Sequence, residues 1–259
     1  MNETNALVLE CAMQAGKILL CNGAEIFRVE ETILRICGHY GVESEKAFVL
    51  SNGIFITAGS EKEASFARVE HIPVRGARLD RVAAVNQLSR QIAEGRYTIE
   101  EVKERLDEIE SLPGKPAWAR ILASTVGCAC FCLMFGGSVM DCVGAGITGF
   151  LLYLYVLKVF DPHLSKIIGN IGGGALVTVL CILLHHIHLG DAVNHMIIGA
   201  IMPLVPGIPF TNGVRDIADG DYIAGSVRLL DALLVFVCIA VGVGAVITLY
   251  HRLTGGVVL

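Results

Sequence analysis

The sequence predicts an α-helical polytopic membrane protein of about five transmembrane helices, preceded by a cytoplasmic α+β domain. Apolar residues make up 54% of the 259 residues and the mean hydropathy is +0.63, which exceeds an ordinary globular domain. Charge is concentrated at one end, because residues 1–115 contain 14 of the 20 Lys and Arg and 18 of the 25 Asp and Glu. Long apolar runs fill the remainder. We therefore predict a cytoplasmic domain over 1–115 and a transmembrane transport domain over 116–259.

Alternating helix and strand patterns organise residues 1–115. Apolar residues at three- and four-residue spacing predict helices over about 5–21 and 25–40, with the Asn22-Gly23 corner between them. Residues 47–57 are rich in β-branched and aromatic types, and their central Asn52-Gly53 predicts a type I′ hairpin. A third strand is expected over 66–72. Helices then begin at Asp80 and after Thr98, where Thr98-x-x-Glu101 forms a capping box.

A charged segment lies at the start of the second helix. Gly23, Glu25, Arg28 and Glu30 occur within eight residues, but their spacing matches no metalloprotease, nucleophile-elbow or phosphate-loop pattern. Glu25 and Arg28 are three apart, as in the solvated ion pairs of a helix surface. We therefore favour surface ion pairs over catalysis here.

Five apolar segments of residues 116–259 approach the ~20 residues that cross a hydrocarbon core. The fourth is weak, since its uninterrupted apolar part is short enough for a re-entrant segment. The five predicted spans are Ala117–Phe135, Ser138–Phe160, Ile167–Leu184, Ala192–Pro209 and Leu229–Leu249.

Three prolines interrupt the end of the fourth span and precede a polar loop predicted to run from Pro203 to Asp231. Proline removes a backbone donor, and at membrane depth such a break persists only inside protein or beside a watery cavity. Broken helices of this kind are where carriers bind solutes. We predict a substrate site here, with Arg215 holding a solute carboxylate in two hydrogen bonds. The candidate substrate-binding residues are Pro206, Pro209, Asn212, Arg215 and Asp216; a hydrated loop with local ion pairs is the alternative.

Few ionisable residues remain in or beside the spans, and each is a candidate for proton coupling. Asp141 and Asp231 lie early in the second and fifth spans, and Asp219 lies in the polar loop. Asp141 and Asp231 are also near an interface to which their side chains can extend, and an ion pair of Asp231 with Arg228 can satisfy both. Proton transfer and simple interfacial polarity both stay open.

Neither a cofactor nor a metal is expected. The glycines of Gly144–Gly149 fit the dinucleotide-binding spacing but lie inside an apolar helix, so we interpret them as packing residues. His185, His186, His188 and His195 match no closed metal site, and a histidine-rich interfacial turn is the preferred interpretation. The net charge of −5 without a basic cluster argues against nucleic acid as a partner.

Positive charge predicts the orientation. The N-terminus lacks the pattern of a signal peptide, and the basic residues at predicted span ends lie on the side that the positive-inside rule assigns to the cytoplasm. The N-terminus is then cytoplasmic and the C-terminus exterior. These basic residues are Lys115, Arg120, Lys158, Lys166, Arg215 and Arg228.

Two long motifs resemble the bacterial ThrE-type threonine/serine exporters. The first is residues 23–33, GAEIFRVEETI, and the second is residues 206–216, PGIPFTNGVRD, followed by Gly220-Asp221-Tyr222 and Gly225. The resemblance covers nearly the whole chain. It implies a secondary carrier of the inner membrane that exports small amino acids or dicarboxylates by antiport at the expense of the proton gradient.

Some members of that family carry a second membrane half in the same chain, whereas this chain stops after the fifth predicted span. It is similar to the larger subunit of the split, YjjP-like form, which implies a two-component transporter with a small multi-span membrane protein of the same family as partner. The split form is linked to succinate-type dicarboxylates and the fused form to threonine and serine.

The sequence therefore predicts an exporter subunit for small carboxylate-bearing metabolites. Two alternatives remain. One is a membrane-anchored hydrolase with its chemistry in residues 1–115, and the other is a scaffold or sensor subunit that gates its partner.

Overall fold

The computed structural model describes residues 3–42, 46–58, 66–72, 76–160 and 163–255. The chain divides into two compact units, which we call the polar unit and the apolar unit. The polar unit is Met1–Pro113 with Gly207–Leu230, and the apolar unit is Gly114–Pro206 with Asp231–Leu259. The polar unit therefore includes a segment that the sequence analysis assigned to the transmembrane domain. The assignment of the two parts to cytoplasm and membrane stays a prediction.

The described residues of the first part of the polar unit form four helices and three strands. They are α1 Glu3–Cys21, α2 Ile26–His39, β1 Lys46–Leu50, β2 Gly53–Ala58, β3 Phe66–His71, α3 Leu79–Ala93 and α4 Ile99–Ser111. Six further helices occur in the described residues after Pro113: α5 Ala117–Met134, α6 Val139–Tyr155, α7 Lys166–His186, α8 Val193–Ala200, α9 Gly207–Ala218 and α10 Tyr222–Thr254. A π-helical turn, Val156–Phe160, extends α6, and a 3₁₀ turn, Met202–Leu204, follows α8.

The helices of residues 3–111 confirm the predicted pattern. The apolar stripe of α2 is buried, with Ile26, Val29 and Ile33 fully inaccessible. The capping box of α4 is also present, because the Glu101 amide donates to Thr98 Oγ1 at 3.4 Å and the Thr98 amide donates to the Glu101 carboxylate at 2.8 Å. These two local signals position α2 and α4 in one apolar core of the polar unit.

The sheet has the expected three antiparallel strands in the order β1-β2-β3, but the predicted type I′ turn is wrong. Leu50 pairs with Gly53, so the two turn residues are Ser51 and Asn52 and not Asn52-Gly53. A type I′ turn requires positive φ at both central residues. Among the described non-glycine residues only His188 has a positive φ.

Among the described residues, four helices are long and apolar enough to cross a membrane: α5, α6 with its π turn, α7 and α10. A fifth crossing results only if Val193–Leu204 and Gly207–Ala218 are counted as one broken span. The 33 residues of α10 extend about 50 Å, well beyond a ~30 Å hydrocarbon core. Its N-terminal part, Tyr222–Leu230, belongs to the polar unit and the remainder to the apolar unit.

Small residues allow close helix packing inside the apolar unit. A Cβ added at Gly149 would lie 2.5 Å from Cys128 Sγ, so only glycine permits this contact of α6 with α5. Gly149 lies in the middle of α6, far from any strand-to-helix turn. Its role is the packing that the sequence analysis preferred over dinucleotide binding.

The proline-rich stretch breaks the chain as predicted, but the segment after it is not a loop. Regular structure stops at Leu204, and α9 begins at Gly207 directly after Pro206. Pro209 is the third residue of α9, where the missing amide has no intrahelical partner to lose. The predicted loop from Pro203 to Asp231 is therefore wrong, since α9 and the start of α10 fill most of it.

Candidate functional site

The corner between α1 and α2 forms the centre of the candidate site. Gly23 has a φ of +85°, which favours glycine, and an added Cβ would lie 3.1 Å from Ala77 Cβ. The Ala24 amide donates to the Leu19 carbonyl at 3.0 Å. The chain therefore leaves α1 in one fixed direction, and Glu25 begins α2 from a fixed backbone.

One face of α9 binds this corner. Asn212 Nδ2 donates to the Gly23 carbonyl at 2.7 Å, and an Arg215 terminal nitrogen donates to Glu25 Oε1 at 2.8 Å. The Ile26 amide donates to Asp216 Oδ1 at 3.2 Å. Positions 212, 215 and 216 share a helix face because they are three and four residues apart. The two motifs of the sequence analysis are thus bonded to each other.

A buried ion pair completes this contact. Arg228 in the first part of α10 donates to Asp216 Oδ2 at 2.7 Å and to the Ala24 carbonyl at 3.0 Å. The Asp216 side chain is 1% exposed and that of Arg228 is 12% exposed. The predicted pair of Arg228 with Asp231 is therefore wrong. Asp231 instead forms an ion pair with Lys166 inside the apolar unit.

Glu25 is bonded to two guanidiniums. Its carboxylate accepts from Arg28 Nε at 3.2 Å as well as from Arg215, and its side chain is only 17% exposed. Asp219 lies farther from Arg215, with Asp219 Oδ2 3.9 Å from Arg215 Nε. Glu25 is the nearer partner of Arg215, and no spacing in the sequence indicates this pair because 190 residues separate the two positions.

A cleft of about 320 Å³ opens beside Glu25 within the polar unit. Its apolar wall includes Leu79, Val82 and Ile208, and its polar wall includes Glu25 and Arg28. Arg215 does not line the cleft and reaches it only through Glu25. The remaining lining residues are Gly23, Ala24, Asn86, Gly207, Thr211 and Asn212. Of the predicted substrate-binding residues only Asn212 lines the cleft, while Pro206 sets the start of α9, which supplies four lining residues.

Glu30 has a different environment from Glu25. Glu30 Oε1 accepts the Val49 amide of edge strand β1 at 3.0 Å. Burial raises the pKa of the Glu30 carboxyl above its ordinary value, and the negative charge of Asp221 adds to the rise. Glu30 therefore joins α2 to the sheet, and it does not line the cleft.

The three predicted proton-coupling residues differ in the hydrogen bonds and ion pairs that their carboxylates form. The Asp141 carboxylate accepts backbone amides of Ser138 at 2.8 Å, Asp191 at 2.7 Å and Ala192 at 2.9 Å. It caps the start of α6 and fixes the residues that precede α8. Asp231 is bonded to Lys166, with both side chains about half exposed, and Asp219 is 43% exposed.

Within the described ranges, no group of three or more His, Cys, Asp or Glu side chains is arranged to hold a metal ion. His185 Nδ1 is 2.9 Å from the Gly190 carbonyl, and His186 Nδ1 is 2.9 Å from the Ile182 carbonyl. These rings fix the end of α7 and the turn that follows it.

Apolar helices of membrane-crossing length and a separately packed polar unit define a polytopic helical membrane protein. The chain belongs to the ThrE family, described as "Putative threonine/serine exporter", whose family model matches residues 10–250. No solved structure matches the chain significantly.

Three relatives are similar over most of the chain. "Probable succinate transporter subunit YjjP" of Escherichia coli is 24% identical over 96% of this chain and 96% of its own length. The protein of the same name from Klebsiella aerogenes is 23% identical over 94% and 93%. "Probable threonine/serine exporter" of Mycobacterium tuberculosis is 21% identical over 91% of this chain but only 45% of its own length.

The buried pair yields a stability prediction. Asp216→Asn leaves the Arg228 guanidinium buried without its anion, so we expect a loss of about 3 kcal/mol in the free energy of unfolding. Asp219→Asn is the matched control, because an exposed pair contributes at most ~0.5 kcal/mol. Thermal unfolding of the purified full-length variants measures the difference. Equal midpoints for the two variants would contradict the role of Asp216.

A second prediction concerns pH. A carboxyl group whose pKa is raised in the folded state stabilises the fold at low pH, and this contribution is lost as the pH rises from the ordinary glutamate value of 4.5 through the higher folded pKa. Glu30→Gln keeps an acceptor for the Val49 amide but cannot ionise. As the pH rises through this range, we expect the unfolding midpoint of the Glu30→Gln variant to fall less than that of the unsubstituted protein. Exposed Glu104→Gln should follow the unsubstituted protein, and parallel curves for all three proteins would refute the proposed environment of Glu30.

Proposed function

We propose that the chain is a subunit of a secondary exporter in the bacterial inner membrane that moves small carboxylate-bearing metabolites out of the cell. The observation that carries this proposal is the family match over residues 10–250 together with the apolar helices. The names of the relatives support threonine or serine in one case and succinate in two. The charges in the cleft help to choose between these solutes.

The cleft is best suited to a zwitterion. Glu25 supplies an anion for an ammonium group, and Arg28 supplies a planar guanidinium that can hold a carboxylate in two hydrogen bonds. The apolar wall formed by Val82 and Ile208 suits a short side chain. A dicarboxylate would bring its second charge near Glu25 and must overcome that repulsion. Threonine or serine is therefore our first proposal, and a succinate-type dicarboxylate is the second.

The polar unit supplies its own counter-ions for Glu25. The Glu25 carboxylate is paired with both Arg28 and Arg215. A solute ammonium takes the place of one guanidinium at Glu25, and the released guanidinium takes the solute carboxylate. Helix α9 is hydrogen-bonded to the α1–α2 corner through Asn212, Arg215 and Asp216. The exchange of partners at Glu25 therefore alters the contacts that hold α9 in place. We propose that α9 moves during transport and that Asp216 passes the movement to α10 through Arg228.

A partner is part of this proposal. The two relatives named as transporter subunits align over 93% and 96% of their own length. The relative named as an exporter without the word subunit has more than half of its length outside the alignment. We propose that a small multi-span membrane protein of the same family is the second subunit of the carrier here.

The membrane orientation of the chain and its coupling to protons are also proposals. The positive-inside rule supports a cytoplasmic N-terminus and an exterior C-terminus. For proton coupling we select Asp231, because three backbone amides already hold the charge of Asp141 and Asp219 lies outside the four long apolar helices. Protonation of Asp231 would release Lys166, which gives the ion pair two states.

The alternative of a membrane-anchored hydrolase draws no support from Glu25 or Glu30. The Glu25 carboxylate is occupied by two guanidiniums, and the Glu30 carboxylate accepts a strand amide. A scaffold or sensor role requires that the assembled pair move no solute. Transport measurements decide that alternative directly.

Glu25→Gln tests the solute site. We expect efflux of threonine to fall about tenfold or more, because a charge-assisted hydrogen bond is worth ~1.5–3 kcal/mol and 1.4 kcal/mol is tenfold. Efflux of succinate should be retained or rise, since the repelling charge is gone. Glu108→Gln is the control, because Glu108 also pairs with an arginine three residues away but on the exposed face of α4.

The measurement is efflux from preloaded cells that contain the partner, at matched protein level. Unchanged threonine efflux in the Glu25→Gln variant would remove the cleft from the transport path. Efflux of neither solute by the unsubstituted pair would overturn the exporter proposal.

Asp231→Asn tests proton coupling. We expect efflux that no longer responds to an imposed pH gradient while exchange down a solute gradient continues, because the carboxamide cannot carry a proton. Asp219→Asn is the matched control and should keep the response. Proteoliposomes containing both subunits, with a protonophore added in parallel, provide the measurement. A normal pH response of Asp231→Asn would exclude this residue.

A further inference from the structure

A second opening, which we call the arginine groove, lies between α2 and α3 in the polar unit. It has a volume of about 380 Å³ and is lined by Arg28, Glu31, Thr32, Arg35, Asn86, Arg90, Ala93 and Glu94. We propose that the arginine groove binds a small soluble polyanion, a di- or tricarboxylate or a phosphate ester, as an effector distinct from the exported solute.

Facing stripes of two helices supply the guanidiniums. Arg28 and Arg35 are seven residues apart on α2, so they lie on one face two turns apart. Asn86 and Arg90 are four residues apart on α3 and likewise share a face. The groove therefore presents donors from both sides. Guanidiniums hold carboxylates and phosphates through paired parallel hydrogen bonds.

Arg35 is fixed before any ligand arrives. Its guanidinium donates to Glu31 and, at 3.2 Å, to Ser89 Oγ, and Ser89 is 1% exposed. A donor held in this way loses little side-chain freedom when a ligand binds. The groove thus contains one preorganised cation at its α2 wall.

Arg90 is the third arginine of the groove. Within the part of the chain that the structure describes, its side chain has no ion pair or hydrogen bond, whereas Arg28 is paired with Glu25 and Arg35 with Glu31. Glu94 does not neutralise it, because Glu94 is paired with Arg96 outside the groove. The lining therefore has an unbalanced positive charge although the chain as a whole carries −5.

Arg28 connects the arginine groove with the cleft beside Glu25, since it lines both. An anion bound in the groove attracts the Arg28 guanidinium and weakens its 3.2 Å hydrogen bond to Glu25. Glu25 is then more available to a solute ammonium. This effect on transport rests on the proposed function, but the binding of the anion does not.

The test measures binding to the purified full-length protein in an uncharged detergent by titration calorimetry, with citrate, succinate and inorganic phosphate as probes. Arg90→Ala should weaken citrate binding about tenfold, or 1.4 kcal/mol. Arg90→Lys keeps the charge near the end of α3 but loses the planar fork, and should lie between Arg90→Ala and the unsubstituted protein. Arg105→Ala is the control, because it removes one positive charge from the exposed face of α4, outside the groove, and should bind citrate normally.

Two results would overturn the proposal: equal citrate affinity in the Arg90→Ala, Arg105→Ala and unsubstituted proteins, or no binding of any probe to the unsubstituted protein. If citrate binding depends on Arg90 but the preparation moves no solute, the anion site in the groove is supported and only its role in transport is contradicted. If the protein exports threonine but binds none of the probe anions, the exporter proposal is supported and the anion site in the groove is contradicted.

Discussion

The buried pair of Asp216 with Arg228 is the interaction on which the rest of the site depends. Removing a carboxylate and a guanidinium from water is costly, and the cost is offset only when further hydrogen bonds satisfy both groups. Here Asp216 also accepts the Ile26 amide, and Arg228 also donates to the Ala24 carbonyl. These two backbone groups flank Glu25. The pair therefore fixes the backbone from which the Glu25 side chain reaches the cleft.

The proline break explains why Asp216 can reach the α1–α2 corner. A helix that continued past Leu204 would be one apolar span, whereas the interruption at Pro206 releases a separate helix, α9, of 12 residues. At about 18 Å, α9 alone is too short for a ~30 Å hydrocarbon core. It packs within the polar unit and places its three polar side chains on the corner. The break thus supplies the site with a short helix and not with a loop of exposed peptide groups.

Local signals in the sequence predicted most of the fold. The apolar spacing of α2 and the Thr98 capping box are decided within four to seven residues, and both are present. The turn after β1 was wrong by one residue because register depends on which residues the neighbouring strand pairs with. The helical state of α9 was missed because its polar residues resemble a loop until their partners on the corner are known.

The candidate site was predictable as a set of residues but not as a network. Both motifs were recognised, yet the nearest partner of Arg228 along the chain, Asp231, was preferred over Asp216, which is twelve residues away. Glu25 was given only its local partner Arg28, although Arg215 approaches it more closely. Spacing along one helix reveals contacts within that helix, while contacts between distant segments depend on the tertiary packing that brings them together.

Charge balance around Glu25 links these observations to the proposed transport cycle. A largely buried carboxylate is stable in its ionised form only while its charge is compensated, and Arg28 and Arg215 provide the counter-ions of Glu25. A zwitterionic solute brings one charge of each sign and can replace an internal contact by an equivalent external one. The electrostatic cost of loading is then small, and the free energy of binding can be used to release α9. A solute whose charges all have the same sign cannot make this exchange. It needs a compensating charge from elsewhere, such as a proton or a residue of the partner.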